Sequence, residues 1–317
     1  MLSFESQRKY GFAVLAGLVL LGLRTEPANA QQQPAGFAVE RLYQSAPGGG
    51  WFVMDDLDIS GGLGGAVSVT SGYARNPLVV TAPDGKQWLE VVSEQAFLDV
   101  GGAVTYVRFR GYINLPMPLV VNGTSGTLGP YQFTAPSASL GTNPDSISDP
   151  RLGFDVRLLG EPGSRLRLGG GAQVIIPSGS RADYVTDARY RGMFRFLAAG
   201  DAGAFTYAGQ FGVHVRPLNQ APVPDSPNGN EFLYGVSGGR RFALSRGWAT
   251  IVGPEIYGER AFSSGEAGTE ALLTGRFEGT GTGRKLRIKL GIGHALVQSF
   301  GAPQWRFVCG VELFGHK

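Results

Sequence analysis

The feature that most constrains this chain is a period of two in its hydrophobic residues, kept up over long segments. In residues 286–292 apolar and polar positions alternate, with Leu286, Ile288, Leu290 and Ile292 set against Arg287, Lys289 and Gly291. The same alternation runs through residues 151–158, 188–198 and 205–216. Successive side chains of a β-strand point to opposite faces of the sheet. Each segment therefore predicts a strand with one apolar and one polar face.

The length and spacing of these segments distinguish two kinds of β protein. The segments run for about 11–15 residues, whereas strands of soluble proteins mostly have about 5–6 and a tilted membrane strand needs about 9–11. Short turns are predicted near 100–102, 161–164, 200–203, 244–247 and 281–284, and longer polar connections near 76–86, 121–147, 178–187, 218–229, 260–266 and 299–303. Short and long connections alternate, as they do in outer-membrane barrels with tight periplasmic turns and long external loops.

This rhythm predicts an all-β fold, namely a closed antiparallel up-and-down transmembrane β-barrel of about twelve strands. The strands are predicted near 64–75, 87–99, 103–118, 149–160, 165–177, 188–199, 204–217, 231–243, 248–259, 267–280, 285–298 and 304–315. An even number closes a single-chain barrel and leaves no unpaired edge in lipid. Because Glu90 and Glu94 interrupt the alternation of the second strand, ten or fourteen strands also fit the sequence.

The first thirty residues have the features of an export signal. Arg8 and Lys9 precede an apolar run from Tyr10 to Leu23, and Ala28-Asn29-Ala30 has the small-x-small pattern of a signal peptidase site. The alternative, a membrane anchor, is disfavoured because the run is shorter than the ~20 residues of a spanning helix. We therefore expect a signal peptide at 1–30 and a barrel at 63–317, in a bacterial outer membrane.

Residues 31–62 do not follow the strand rhythm. Phe37–Tyr43 could form a strand, and Gly48-Gly49-Gly50-Trp51 followed by Asp55-Asp56 indicates a turn-rich stretch. This segment could plug the lumen or lie at the periplasmic rim, and the sequence leaves both open. We interpret Asp55 and Asp56 as a solvated acidic turn, because the glycine and distal Glu of an EF-hand loop are missing.

The composition excludes several classes of protein. The net charge of +3 is too small to indicate nucleic-acid binding. Cys309 is the single cysteine, and His214, His294 and His316 lack metal-ligand spacing, so no metal site and no cofactor are expected. The 50 glycines keep no three-residue period, which excludes collagen.

If the apolar faces meet lipid, the alternate positions line the interior. A charge on the lipid face would cost about 2–4 kcal/mol for Arg or Lys at the midplane. The predicted lumen-lining residues are Arg108, Arg110, Arg151, Arg157, Arg165, Arg167, Arg189, Arg191, Arg195, Arg216, Arg276, Arg287, Lys289, Arg306, Asp155, Glu255, Glu270, Glu278 and Glu312. The excess of basic groups predicts a lumen that favours anions, whether it is narrowly open or filled by charge pairs.

Aromatic residues mark the predicted strand ends. Trp88 and Trp305 begin strands after external loops, and Phe205 and Trp248 begin strands after tight turns. We interpret these four residues as aromatic girdles at the two membrane interfaces. The expected partners are outer-membrane lipid, the barrel-insertion machinery and small anionic solutes, for a monomer.

A nucleophile-like motif gives little support for catalysis. Gly235-Val236-Ser237-Gly238-Gly239 matches G-x-S-x-G, but that motif acts on a strand–turn–helix elbow and here it falls inside a predicted strand. No catalytic residue is therefore predicted.

Several stretches resemble bacterial outer-membrane β-barrels, in particular the N-terminal barrel of OmpA-like proteins. They are Gly48–Asp58, Phe133–Pro136, Asp149–Leu159, Pro177–Arg181 and Val311–Phe314. OmpA-like proteins often continue into a peptidoglycan-binding domain, which is not expected in a chain that stops at Lys317. Outer-membrane barrels also tend to end on an aromatic residue, whereas Phe314 is followed by Gly315, His316 and Lys317.

These observations predict a non-enzymatic membrane protein, either a structural barrel or a narrow diffusion channel for small polar or anionic solutes. Two alternatives remain at this point. One is a barrel enzyme that acts on lipid, and the other is a soluble secreted β-sandwich that binds a ligand, since a sandwich core gives the same alternation.

Overall fold

The computed structural model describes residues 33–59, 61–82, 88–139, 147–218, 229–279 and 285–316. The predicted signal peptide at 1–30 and the predicted turn at 281–284 lie outside the described residues. In the part of the chain that is described, no helix has the length and apolar character needed to cross a membrane.

Long antiparallel strands make up most of the structure. They are β1 (Leu63–Thr81), β2 (Trp88–Tyr106), β3 (Phe109–Asn122), β4 (Gly126–Leu128), β5 (Tyr131–Phe133), β6 (Ser137–Ser139), β7 (Arg151–Leu159), β8 (Arg167–Ile175), β9 (Arg191–Ala202), β10 (Phe205–Val215), β11 (Glu231–Ala243), β12 (Trp248–Ala261), β13 (Ala267–Gly279), β14 (Lys285–Val297) and β15 (Trp305–His316). Single 3₁₀ turns lie at Arg181–Asp183 and Ser245–Gly247.

Twelve of these strands close into a barrel. Each pairs with its neighbours in the chain, and β1 pairs with β15 from Gly64↔His316 to Arg75↔Trp305. The short strands β4, β5 and β6 belong to the connection between β3 and β7, which pair directly with each other. The predicted fold class is confirmed, and the alternative of a β-sandwich is wrong.

One predicted turn is wrong. Residues 100–102 lie inside β2, where Val100 pairs with Leu115, and the chain reverses instead after Tyr106. The Gly101-Gly102 pair suggested a turn, but Gly101 has a different role. A Cβ at Gly101 would lie 2.7 Å from the ring of Pro47, so the glycine makes room for a close neighbour in the interior.

The outer surface of the barrel is apolar. Phe194, Tyr207 and Leu290 are 60%, 39% and 45% exposed, and the polar residues that alternate with them are turned inward. A soluble protein rarely exposes so continuous an apolar surface. Strands that alternate apolar-out and polar-in are the pattern of transmembrane barrels.

The two ends of the barrel differ. At one end, here called the short-turn end, the strands connect through residues 107–108, 160–166, 203–204 and 244–247. At the other, the long-loop end, the described residues of the connections include 123–139, 147–150, 176–190, 216–218 and 229–230. β1 begins and β15 finishes at the short-turn end.

Candidate functional site

Residues 33–59, here called the lumen segment, lie inside the barrel. Trp51, Phe52 and Met54 are fully buried although they belong to no barrel strand. The segment contacts inward-facing side chains from opposite parts of the wall, among them Arg110 on β3 and Glu255 on β12. A chain segment that touches the wall on several sides is surrounded by it.

The segment runs through the barrel from end to end. Near its start, the amide of Ala38 donates to Asp187 at 2.8 Å and that of Val39 to the Tyr184 carbonyl at 3.0 Å, both in a long loop. Near its end, the Ile59 carbonyl accepts a hydrogen bond of 3.3 Å from Arg157 on β7, close to the short turns. The chain then enters β1.

The loops at the long-loop end hold the start of the segment. Phe37 packs edge-on against Tyr184 at 6.2 Å and Phe300 at 5.6 Å between ring centroids. Burial raises the pKa of Tyr184 to about 12. Burial alone would raise the pKa of Asp187, but its hydrogen bonds and charge pairing with Arg216 keep that pKa well below the ordinary value.

A tight loop gives the middle of the segment its shape. The amide of Ser45 donates to the Phe52 carbonyl at 2.8 Å, and that of Asp56 donates to the Gly49 carbonyl at 2.7 Å. Gly50 has a φ of 102°, a conformation that favours glycine. The turn-rich sequence at 48–58 therefore folds back on itself within the lumen.

Glycines of the wall receive the large side chains of this loop. A Cβ at Gly239 would lie 2.8 Å from Trp51, and one at Gly291 would lie 2.9 Å from Phe52. A Cβ at Gly235 would collide with Met54. Two glycines of the G-x-S-x-G motif thus provide space. Ser237 between them donates to the Ala208 carbonyl at 3.4 Å.

One carboxylate anchors the backbone of the loop. Glu255 is fully buried and accepts hydrogen bonds from the amides of Phe52 at 3.0 Å and Val53 at 2.9 Å. Thr274 donates to the same carboxylate at 2.7 Å. The alternation predicted that Glu255 points inward. It did not predict its partner, because the strand pattern contains no information about a backbone segment that crosses the lumen.

Basic residues gather around the segment toward the short-turn end. This inner basic cluster consists of Arg110, Arg167, Arg276, Arg287 and Lys289. The lumen segment supplies it with acceptors. Asp55 pairs with Arg110, Asp56 pairs with Arg276 at 2.5 Å, and Arg167 donates to the Asp56 carbonyl at 2.7 Å. The expectation that Asp55 and Asp56 form a solvated turn is wrong, because both are buried against these cations.

Wall acids also neutralise part of this cluster. Asp155 pairs with Arg110 at 2.7 Å, and Glu312 pairs with both Arg287 and Lys289 at 2.8 Å. Trp51 packs on the guanidinium of Arg276 at 5.0 Å. Such buried charges persist because each is paired and hydrogen-bonded.

Two glutamates pair with arginines toward the long-loop end. Glu231 and Glu259 flank the guanidinium of Arg41, a residue of the lumen segment, at 3.0 and 2.8 Å. His214 contacts Glu259 at 3.0 Å, and Arg216 pairs with Glu231 at 2.9 Å. The ligand atoms of His214, Glu231 and Glu259 lie within 4.8 Å of one another and could hold a metal ion by geometry, but Arg41 already supplies the positive charge there.

Most of the predicted lumen residues are buried. The buried ones among the described residues are Arg110, Arg151, Arg157, Arg167, Arg191, Arg195, Arg216, Arg276, Arg287, Lys289, Arg306, Asp155, Glu255, Glu270 and Glu312, and Glu278 is half-buried. Of the histidines, His214 points inward and His294 outward.

Three predicted lumen residues are wrong. They are Arg108, Arg165 and Arg189, which are exposed and lie in connections between strands. Arg108 follows the end of β2, Arg165 follows the end of β7, and Arg189 precedes the start of β9. The alternation continued past the strand ends in the sequence, but a side chain outside the ladder no longer follows its faces.

Several lumen acids escaped the sequence pattern. Asp99 pairs with Arg151, and Asp149 pairs with Arg191 at 2.8 Å. Asp99 lies in β2, whose phase was obscured by the wrong turn, while Asp149 and Asp187 lie in loops that have no alternation. The alternation predicted their partners Arg151, Arg191 and Arg216 as lumen residues, but it did not predict the three acids.

The four predicted girdle residues begin strands as expected. Trp88 and Trp305 lie at the long-loop end, and Phe205 and Trp248 lie at the short-turn end. Trp88, Phe205 and Trp305 are exposed on the outer face, whereas Trp248 is half-buried.

Fold and lumen together define a twelve-stranded transmembrane-type β-barrel whose interior is occupied by its own N-terminal segment. The chain is similar in fold to an outer membrane channel from Pseudomonas putida F1, with 14% identity, 81% of this chain and 95% of that chain covered, and a TM-score of 0.49. It is also similar to the NanC porin (6% identity, 79% and 99% covered, TM-score 0.45) and to an anion-selective porin from Comamonas acidovorans (9%, 80% and 98%, TM-score 0.33). No protein-family model and no curated protein sequence matches the chain.

Proposed function

We propose that this protein is an outer-membrane barrel that forms a narrow diffusion channel for small polar or anionic solutes, closed by the lumen segment. The apolar outer surface supports the membrane location, because in water it would be a large exposed hydrophobic patch. The resemblance of the sequence to barrels of OmpA-like proteins favours the same location. Lipid and the insertion machinery are the partners that this location implies.

The closed state follows from the space around the segment. Two cavities lie between it and the wall, of about 40 and 50 Å³. Both cavities are small, and the fully buried side chains of Trp51, Phe52 and Met54 occupy the lumen beside them. Passage of a solute therefore requires the segment to move.

The way the segment is held allows such movement. In the described part of the chain, the strands of the barrel pair with one another, while the segment's one bridge, Gly50↔Asp55, is internal. Side chains of the wall, such as Arg110, Arg276 and Glu255, make most of its contacts. Displacing it breaks these contacts and leaves the barrel ladder intact.

The proposed ion selectivity rests on the pairing of Asp55 and Asp56 with the inner basic cluster. When these two carboxylates withdraw, Arg110 and Arg276 each lose an anionic partner. The five cations of the cluster then outnumber the wall acids Asp155, Glu278 and Glu312 that remain beside them, and this excess of positive charge lowers the energy of an anion in the pore. We therefore expect the open channel to prefer anions over cations.

Planar bilayers test the proposal. The full chain should show a mostly closed channel with brief openings, and Asp55→Asn/Asp56→Asn should lengthen the openings and make them anion-selective. Asp58→Asn is the matched control, because Asp58 lies in the same segment but makes no ion pair among the described residues. Gel mobility before and after heating confirms that each variant is folded.

Absence of conductance steps in all folded variants would overturn the channel and favour a purely structural barrel. Equal opening times for Asp55→Asn/Asp56→Asn and Asp58→Asn would show that the segment is not the closure. Cation selectivity in the double variant would contradict the assignment of the inner basic cluster.

A further inference from the structure

The pairing of Arg41 with the wall has the geometry of a ligand in a site. Its guanidinium bridges two carboxylates from neighbouring strands, Glu231 at the start of β11 and Glu259 near the end of β12. Both carboxylates are largely buried, and His214 and Arg216 hold them in place from behind. Paired carboxylates that face a planar fork of N–H donors are the usual partners of a guanidinium.

A cavity of about 40 Å³ adjoins this pair at the long-loop end. Its charged lining consists of Glu231, Glu259, Glu266 and Glu270 against Arg41 and Arg195. Arg195 pairs with Asp155 at 3.2 Å, so its charge is already neutralised. Glu231 pairs with Arg216 as well as Arg41, and Glu270 pairs with Arg306, so the buried lining is charge-balanced while Arg41 is in place and becomes negative once Arg41 leaves.

The cavity also offers unused polar atoms. The second carboxylate oxygen of Glu270, a residue only 2% exposed, interacts with the hydroxyl of the buried Tyr257, but neither atom makes a hydrogen bond of ordinary geometry. The side-chain oxygen of Gln210 is likewise unpartnered among the described residues. Buried acceptors without donors are costly, and a bound donor-rich cation would satisfy them.

Aromatic rings complete the walls. Tyr43, Tyr234 and Phe300 line the same cavity. Ring faces attract a weakly hydrated cation such as a guanidinium more than a strongly hydrated metal ion.

We propose that this cavity, with Glu231 and Glu259, is a binding site for the guanidinium group of a small solute, and that Arg41 occupies it as an internal ligand. A solute with this group competes with Arg41 for the same two carboxylates. Such a solute would enter from the long-loop end, where the cavity lies. The site does not depend on conduction, since binding is measured on the folded barrel alone.

Methylguanidinium is the probe, and the full chain purified in detergent is the sample. Arg41→Ala removes the internal guanidinium and keeps the carboxylates. Calorimetric titration should show methylguanidinium binding to Arg41→Ala at least tenfold more tightly than to the unmodified chain. Arg260→Ala, which removes an exposed arginine one residue beyond Glu259, is the matched control and should bind like the unmodified chain. Glu259→Gln added to Arg41→Ala should weaken binding at least tenfold.

Equal affinity of Arg41→Ala and Arg260→Ala for methylguanidinium would overturn the proposal. Binding of Zn²⁺ by Arg41→Ala without binding of methylguanidinium would also overturn it and assign the site to a metal held by His214, Glu231 and Glu259. If methylguanidinium and sodium at matched ionic strength gave equal heats of titration, the signal would reflect charge screening and the proposal would be overturned. If Arg41→Ala gives no heat-shifted barrel on gels, Arg41→Gln carries the same expectations.

Discussion

The carboxylate of Glu255 on β12 accepts a hydrogen bond of 2.9 Å from the backbone amide of Val53, in the middle of the barrel. A wall carboxylate that binds main-chain amides recognises the path of the segment rather than one of its side chains. Together with the amide of Phe52 and the hydroxyl of Thr274, this contact fixes the loop at the centre of the lumen.

Removing this acceptor should loosen the segment. Glu255→Ala leaves buried amides unsatisfied, which costs about 1–3 kcal/mol, so the free energy of unfolding should fall by that amount. Glu255→Gln keeps one oxygen acceptor and should lose less. Urea titration in detergent measures both, and Glu161→Ala, which removes only a solvent-exposed ion pair with Arg157, should lose less than about 1 kcal/mol. An equal loss for Glu161→Ala would contradict the anchoring role.

Arg276 should be among the most costly residues to remove. Its side chain is buried, pairs with Asp56 and Glu278, and packs on Trp51. Arg276→Met leaves the buried carboxylate of Asp56 without its ion pair, while Glu278 keeps Arg287, and breaking a buried pair costs about 3–5 kcal/mol in the free energy of unfolding. Arg240→Met is the control, because Arg240 also packs on a ring, that of Phe242 at 5.3 Å, but is exposed. Similar losses for the two variants would show that the lumen pairing adds nothing.

A charge introduced on the outer face should destabilise the barrel by an amount that depends on its depth in the membrane. Leu290 points outward from the middle of β14, so Leu290→Arg should destabilise the barrel by about 2–4 kcal/mol in lipid. Leu159 also points outward but ends β7 near an interface, so Leu159→Arg should cost about 0–1 kcal/mol. The measurement is urea unfolding in lipid bilayers. A larger loss at Leu159 than at Leu290 would contradict the assigned membrane position.

The strands and their two faces could be predicted because alternation is a local property of the sequence. Arg287 and Lys289 point inward for the same reason that Leu290 points outward. The lumen segment has no period, since its residues fit the wall around them and not a repeating ladder. Gly101 shows the limit most clearly. Gly101 lacks a side chain because Pro47, which is distant in the sequence, packs closely against it. Nothing in the neighbouring sequence distinguishes such a glycine from one in a turn.

The mouth of the barrel should lose stability in acid. The Arg216 pairing keeps the pKa of Asp187 below its ordinary value of 3.8, so this carboxylate stabilises the fold above about pH 4. The contribution is lost as the pH falls toward the lowered pKa. The difference in unfolding temperature between the unmodified chain and Asp187→Asn should therefore be full at pH 6 and shrink progressively as the pH falls from about 4 to about 2. A difference that is constant over this range would show that Asp187 does not act through its charge.

Photo-crosslinking tests most directly whether the segment occupies the lumen. Phe52 lies against Gly291 and Gly310 and above the ammonium of Lys289 at 5.0 Å. With p-benzoylphenylalanine at position 52, mass spectrometry of the irradiated barrel in membranes should find crosslinks to β14 and β15. The same probe at Phe194, on the outer face, should instead attach to lipid. Crosslinks from position 52 to other proteins or to lipid, with none to β14 or β15, would contradict a segment inside the barrel.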